Sequence, residues 1–380
     1  MEALSHRIRI DFDHRVFFTR GVAEVNNPTL DEALGSTERV LAVVEERVDA
    51  AHPGWREKLA ARLGPRLVGG RVRVLPGGED CKNDDRLWRK LMHWIEAGGL
   101  DRHNALLAVG GGAFLDAAGF AAATAHRGVR LVRLPTTVLS QADSGVGVKN
   151  ALNAFGKKNF VGTFAVPFAV VNDFDLLRTL PPDEARAGLV EVVKVALIKD
   201  PDFFEWLEVH ADRLRALDGP VLEEAVRRSA TLHFQHICTS GDPFELGSSR
   251  PLDFGHWAAH KLEAMTGYSL GHGQAVAVGI ALDTLYARES GLLDGRLAAR
   301  VLGLLEALGL PRFHPALAQR DADGRLVVAA GLDEFRQHLG GRLTVLLPAA
   351  PGRALEVNRM EEAAVERCVI LLERGRPEVG

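Results

Sequence analysis

Short runs of continuous apolar residues alternate with helically spaced segments through the first part of the chain. Residues 39–44, 72–75, 105–109, 129–134 and 165–172 are apolar over most of their length and too short for buried helices. They are predicted strands, and their lack of alternation marks strands covered on both faces. Between them, 85–97 has helical spacing, and Gly110-Gly111-Gly112 opens an alanine-rich helix to about Ala125. Strands separated by helices predict a largely parallel sheet, an α/β Rossmann-like domain. After about Asp175 the texture changes. Residues 177–182 read as a linker, and 183–198, 220–238, 255–265, 273–289, 295–308 and 360–373 as helices, with one strand at 343–347. The expected division is an α/β domain over 1–178 and an all-α domain over 179–380.

The bulk properties fit a two-domain globular chain of 380 residues, 47% apolar and 25% charged. A net charge of -4 argues against nucleic acid as a partner. Three scattered cysteines suggest neither a disulfide framework nor a cysteine metal site. Residues 1–18 mix charges throughout, and no uncharged apolar run reaches the ~18 residues of a membrane span. A cytoplasmic protein is expected.

Several motifs change the picture. The Gly110–Gly112 turn between strand and helix would let a backbone approach a phosphate, although its spacing is not G-x-G-x-x-G. Asp143 to Lys149, then Gly156-Lys157-Lys158-Asn159, set lysines among small residues, as an anion site or a solvated loop would. Glu191 and Lys194 interrupt a helix that is apolar on nearly every side. Such charges are paired with each other or bind something. His256, His260 and His272 fall within seventeen residues of a chain with 14 histidines. Spacing alone favours His256 and His260 as metal ligands on one helix face.

These motifs, in this order, resemble the sugar phosphate cyclases, the superfamily of 3-dehydroquinate synthase. The resemblance runs from about Val72 to Leu347 through Pro76-Gly77-Gly78-Glu79, Lys82, the Gly110–Gly119 turn, His126-Arg127-Gly128, Pro135-Thr136-Thr137, Asp143–Lys149, Gly156–Asn159, Glu191–Lys194, Gly255-His256 and His272-Gly273. It implies an N-terminal NAD-binding domain, a C-terminal helical domain with a catalytic zinc (cobalt being possible), and a homodimer. It revises the ligand set to Glu191, His256 and His272. Lys149, Asn159 and His260 would contact the substrate phosphate, with Arg127 reaching in from the partner subunit. Asp143 and Lys194 would hold ring hydroxyls. Glu79, Lys82, Gly111, Gly112, Asp116, Thr136, Thr137 and Lys158 would contact NAD. The implied chemistry is transient oxidation of a secondary alcohol, phosphate elimination, return of the hydride, and ring closure to a carbocycle.

Departures from the family bear on the substrate. The lysine and arginine that hold the carboxylate in 3-dehydroquinate synthases fall on Gln235 and Ser249, with His236 and Arg250 adjacent. Asp253 replaces an asparagine, as in cyclases of sedoheptulose 7-phosphate. Phe335-Arg336-Gln337 stands in place of a late Asp-Lys-Lys, where Arg336 would restore a charge. His260 is kept, whereas valiolone-type cyclases commonly lose it. The combination resembles the divergent dehydroquinate synthase-like cyclases of ebo-type gene clusters. The expected activity is cyclisation of a heptulose 7-phosphate. The alternatives are 3-dehydroquinate synthase itself, a metal-dependent polyol dehydrogenase of the glycerol dehydrogenase type, and a binding protein that kept the fold.

Overall fold

The computed structural model describes residues 3–6, 8, 10–155, 157–245, 251–338 and 341–375. The chain forms two units. One is Met1–Leu134 with Val148–Asn172, the other Pro135–Gly147 with Asp173–Gly380. The division therefore differs from a single cut after residue 178, because the segment bearing Thr136, Thr137 and Asp143 packs with the helical unit.

In the first unit the strands are β1 (Val16–Thr19), β2 (Val40–Glu45), β3 (Arg73–Leu75), β4 (Ala105–Gly110), β5 (Arg130–Pro135), β6 (Lys149–Ala154), β7 (Lys157–Phe164) and β8 (Ala169–Asp173). Among the described residues, six form one sheet in the order β1-β8-β5-β4-β2-β3. The β2–β3, β2–β4 and β5–β8 pairs are parallel. Every residue of β2 and β4 is buried, as the apolar runs 40–44 and 105–109 require, and Glu45 at the end of β2 is buried with them. Leu91 and Ile95 of the helix Arg86–Ala97, and Phe114, Leu115 and Ala118 of the helix Gly112–Thr124, join Leu41, Val43, Leu106 and Ala108 in one core.

The hairpin β6–β7 is antiparallel and stands where the sequence suggested a lysine-bearing loop. Its strands carry lysine and asparagine, and β7 is mostly exposed, so no apolar run advertised it. Gly119 allows the Gly112–Thr124 helix to lie against β6. A Cβ there would fall 1.7 Å from Asn150 Oδ1.

The second unit is helical, with Pro182–Lys199, Gly219–Thr239, His256–Met265, His272–Glu289, Gly295–Ala307, Ala330–His338 and Glu362–Glu373 among its helices. The strand expected at 343–347 is β9 (Val345–Ala350), paired antiparallel with β10 (Arg353–Val357). His272–Glu289 is the central helix, buried along almost its whole length. Two glycines let its neighbours come close. A Cβ on Gly273 would lie 2.4 Å from Ala187 O, and one on Gly279 would lie 2.0 Å from Gly255 O. The first contact ties it to Pro182–Lys199, the second to the turn that opens His256–Met265. No helix among the described residues is long and apolar enough to cross a membrane.

A methyl group at Gly279 would meet backbone, which no rotamer change relieves. Gly279→Ala should lose about 2 kcal/mol or more of stability in urea unfolding. Gly303→Ala, in a helix with open space around the glycine, should be neutral or up to about 1 kcal/mol stabilising. Equal effects would disprove the close-packing account.

Candidate active site

In the sheet unit, two glycine turns meet around one carboxylate. Glu45 closes β2. Its Oε2 accepts from the Gly111 N–H (2.9 Å) and its Oε1 from the Gly78 N–H (3.2 Å). A Cβ on Gly77 would lie 2.2 Å from the Glu45 side chain, so the turn needs glycine there. Glu79 and Lys82 follow in the short helical turn Glu79–Lys82. The buried Lys82 Nζ donates to Asp116 Oδ2 (2.6 Å) and Asn159 Oδ1 (2.5 Å). Lys158 Nζ lies 3.5 Å from Glu79 Oε1. Asn153 Nδ2 donates to the same oxygen (3.1 Å), while Asn153 Oδ1 accepts from the Asn159 N–H (3.0 Å). Glu79, Lys82, Asp116 and Lys158 thus form one polar network beside the Gly111-Gly112 helix start. Asn159, expected on the phosphate, is here held by Lys82 in that network. Lys149 is exposed at the start of β6, its carbonyl accepting from the buried Arg133 (3.1 Å). Arg127 is exposed on a turn in which His126 and Arg127 both take positive φ (50° and 62°).

In the helical unit, Glu191, His256 and His272 present ligand atoms that all lie within 4.8 Å of one another. Glu191 sits mid-helix on Pro182–Lys199, 1% exposed. His256 follows Gly255, whose φ of 81° turns the chain into its helix. His272 begins the central helix. Glu191 Oε1 is 3.9 Å from His256 Nε2 and 3.8 Å from His272 Nε2. These gaps are too long for hydrogen bonds, yet suit atoms that share an ion at about 2 Å each. Both rings are oriented from behind. His256 Nδ1 is 3.0 Å from the Phe254 carbonyl, which only accepts, so Nδ1 carries the hydrogen. His272 Nδ1 faces the buried Glu263 carboxylate at 3.3 Å. Each Nε2 lone pair is left toward Glu191, the arrangement metal-binding imidazoles take.

The electrostatics agree. Burial first, then the Lys194 ammonium, hold His256 far below the usual histidine range, so it is neutral as a ligand must be. Burial pushes the Glu191 carboxyl up to about 7, against the pull of Lys194. A cation among these three groups would restore its charge. The donor set therefore fits a divalent transition metal with an open coordination position. His260 lies one turn along from His256, its ring 5.5 Å from that of His256 and 6.2 Å from that of His272. It joins the rings, but it is outside the convergent donor set that spacing alone would have given it.

Lys194 and Asp143 complete this cluster. Lys194 Nζ is 3.1 Å from Asp143 Oδ2 and also contacts Glu191. His233 contacts the other Asp143 oxygen. Burial opposes both charges. The two carboxylates nevertheless hold Lys194 above its usual range, and Lys194 with His233 holds Asp143 well below its own. Thr137 caps the turn that carries Asp143, its Oγ1 2.7 Å from Ser140 Oγ, and Thr136 beside it is buried. Asp253 lies in the turn Pro251–Asp253, close enough for its charge to act on His260. Gln235 is exposed on Gly219–Thr239, and His236 Nδ1 is 3.2 Å from Lys199 Nζ. Ser249 and Arg250 lie outside the described residues. Arg336 is paired with Asp333 (3.2 Å), so its charge is met locally.

Models of the N-terminal and C-terminal parts of 3-dehydroquinate synthase match residues 72–187 and 188–326. A 2-epi-5-epi-valiolone synthase of Streptomyces glaucescens is 38% identical over 356 residues, 93% of this chain and 89% of that protein. The chain belongs to the sugar phosphate cyclases. A 3-dehydroquinate synthase of Paracoccus denitrificans is also 38% identical to this cyclase, over 88% of it and 90% of that protein. The solved 2-epi-5-epi-valiolone synthase of Streptomyces hygroscopicus subsp. jinggangensis, with NAD+ and Zn2+ bound, superposes with a TM-score of 0.85. It is 29% identical, with 99% of this chain and 100% of that one covered.

Sequence reasoning missed Glu45, His233, Glu263 and Asp283. Glu45, His233 and Asp283 act through contacts distant in sequence, and Glu263 through one nine residues away, none of which helical or strand spacing marks. Zinc titrated against a chromogenic chelator should bind the wild type, while Glu191→Gln and His256→Ala bind it at least about tenfold more weakly. His260→Ala should keep its zinc. A variant of Glu191 or His256 with full affinity would remove that residue from the ligand set.

Proposed function

We propose that the chain is an NAD- and zinc-dependent cyclase of a heptulose 7-phosphate, sedoheptulose 7-phosphate foremost, that releases phosphate and forms a valiolone-type cyclitol. The observation that carries the reading is the convergence of Glu191, His256 and His272 beside the buried Lys194–Asp143–His233 chain. When bound, zinc supplies Lewis acidity toward substrate hydroxyls, and NAD supplies a reversible hydride acceptor.

The protein's own groups do the rest. Glu191, His256 and His272 hold the ion. Lys194, kept protonated by two carboxylates, donates to a substrate hydroxyl, and Asp143 accepts from one. Burial, with His256 nearby, pushes His260 down to about 3. It therefore stays neutral at working pH, and its ring N–H suits a phosphate oxygen. Lys149 and Asn159 are further phosphate contacts on this reading, with Arg127 reaching a second subunit in a homodimer. Lys82 and Asp116, with Glu79, Lys158, Gly111, Gly112, Thr136 and Thr137, hold NAD. Of the NAD contacts on this reading, Glu79, Lys82, Gly111, Gly112, Asp116 and Lys158 belong to the sheet unit, whereas Thr136, Thr137 and the metal ligands belong to the helical unit.

Two findings favour a heptulose over a keto acid. Gln235 offers no charge where a carboxylate would need one, and the relatives include valiolone synthases. The relative named 3-dehydroquinate synthase, and the Lys199–His236 contact on the wall of a cavity of about 550 Å3 that also takes in Gln235, favour the keto acid.

Purified protein with NAD and zinc should release phosphate from sedoheptulose 7-phosphate without net NADH. Turnover should be at least about tenfold faster than on the seven-carbon keto acid phosphate of the shikimate route. The reverse ratio establishes the alternative. Lys82→Met should raise the Kd for NAD about tenfold or more, because it removes the cation from the Asp116–Asn159 network. An unchanged Kd would place NAD elsewhere.

A further inference from the structure

Asp283 is fully buried on the central helix, eleven residues past His272. Its Oδ2 accepts from the Gly255 N–H (3.0 Å), and its Oδ1 accepts from the Trp257 indole N–H (2.7 Å). Those donors are the residues on either side of His256. Trp257 is itself 1% exposed, and its Nε1–H has found its partner in Asp283.

We infer that Asp283 is a positioning residue for the metal centre, locking the turn that delivers His256 to the helix that begins with His272. The inference rests on Glu191, His256 and His272 being the ligand set, and it adds a residue that none of the motifs includes.

The geometry explains why this position can do it. Gly279 lies one helical turn before Asp283 and on the same face. Without a side chain it lets the central helix touch the Gly255 carbonyl, where a Cβ would stand only 2.0 Å away. That approach brings the Asp283 carboxylate within reach of the peptide N–H of Gly255. Gly255 holds a φ of 81° at this point, and Phe254, just before it, supplies the carbonyl that orients the His256 ring. Displacing the Gly255 peptide therefore displaces both the entry angle of His256 and the acceptor that fixes its tautomer. A carboxylate suits the task better than an amide, because both its oxygens must accept.

The test compares zinc affinity with folding. Wild type, Asp283→Asn, Trp257→Phe and the double variant are titrated with zinc against a chelator, and the metal-free proteins are melted. In Asp283→Asn an NH2 group opposes one of the two N–H donors. Zinc affinity should fall about 10-fold to 100-fold, the range for groups that support metal ligands. In the double variant the indole donor is gone and the Asn oxygen can serve Gly255. Its affinity should return to within about threefold of Trp257→Phe, a coupling that mere loss of stability would not produce. If Asp283→Asn melts earlier yet binds zinc like the wild type, or matches it in both measurements, the inference is overturned. If the single variant does not fold, the double variant decides. Affinity near that of Trp257→Phe supports the inference, and affinity far below it overturns it. A wild type that binds no zinc overturns the metal reading and this inference together, which distinguishes that failure from one confined to Asp283.

Discussion

A carboxylate and an ammonium buried in an apolar helix constrain everything around them. Glu191 and Lys194 are each 1% exposed, and neither charge is tolerable there without partners. Lys194 is met by Asp143 and Glu191, and Asp143 in turn by His233. Glu191 has an oxygen facing two imidazole nitrogens at 3.8 and 3.9 Å. Without an ion its carboxyl rises to about 7. The helix thus bears a cost that a bound cation would remove.

Placing those partners required backbone contact rather than side-chain packing. Gly273 meets Ala187, and Gly279 meets Gly255, so the three ligand-bearing segments approach at distances that exclude a Cβ. The three convergent donors come from the middle of one helix and the beginnings of two others. Helix starts are set by turns, and turns are adjustable. Here the turn before His256 is fixed by a positive-φ glycine, by the Phe254 carbonyl and by a buried carboxylate. His272, at the start of the central helix, is steadied by Glu263 instead. Each ring thus has its own second partner, the Phe254 carbonyl in the turn before His256 and the Glu263 carboxylate on the helix His256–Met265.

What the sequence showed follows from the range over which each feature is encoded. The strands expected at 39–44 and 105–109 were legible because burial on both faces leaves unbroken apolar runs at 40–44 and 105–109. The helices were legible by their spacing. The β6–β7 hairpin was not, because its lysines and asparagines serve a polar network rather than a core. The division at 178 missed Pro135–Gly147, which is local to one unit in sequence but packs with the other. The histidines show the limit most clearly. Helical spacing favours His256 with His260, yet the donor atoms that converge belong to His256 and His272. The family resemblance supplied that choice, because the deciding contact, Glu191, lies 65 positions from His256 in the chain. Asp283 and Glu263 carried no local mark, because their partners are named only by the fold.

On the proposed reading, the same logic explains why the substrate's far end is harder to read than its metal-facing end. The metal site proposed at Glu191, His256 and His272 is over-determined, since three donors, two orienting groups and a buried cation–carboxylate pair must all agree. Gln235 is under-determined, being exposed and neutral on a helix whose other face is constrained. Beside it, Lys199 can only donate, so His236 must accept through Nδ1 and carry its proton on Nε2. On the proposed reading that wall would meet either a hydroxyl or a carboxylate, the two groups that separate a heptulose from a keto acid. Specificity between them is a difference of two free energies. On that reading it turns on whether one ammonium, half-buried and lowered by that burial, outweighs the absence of a charge at Gln235.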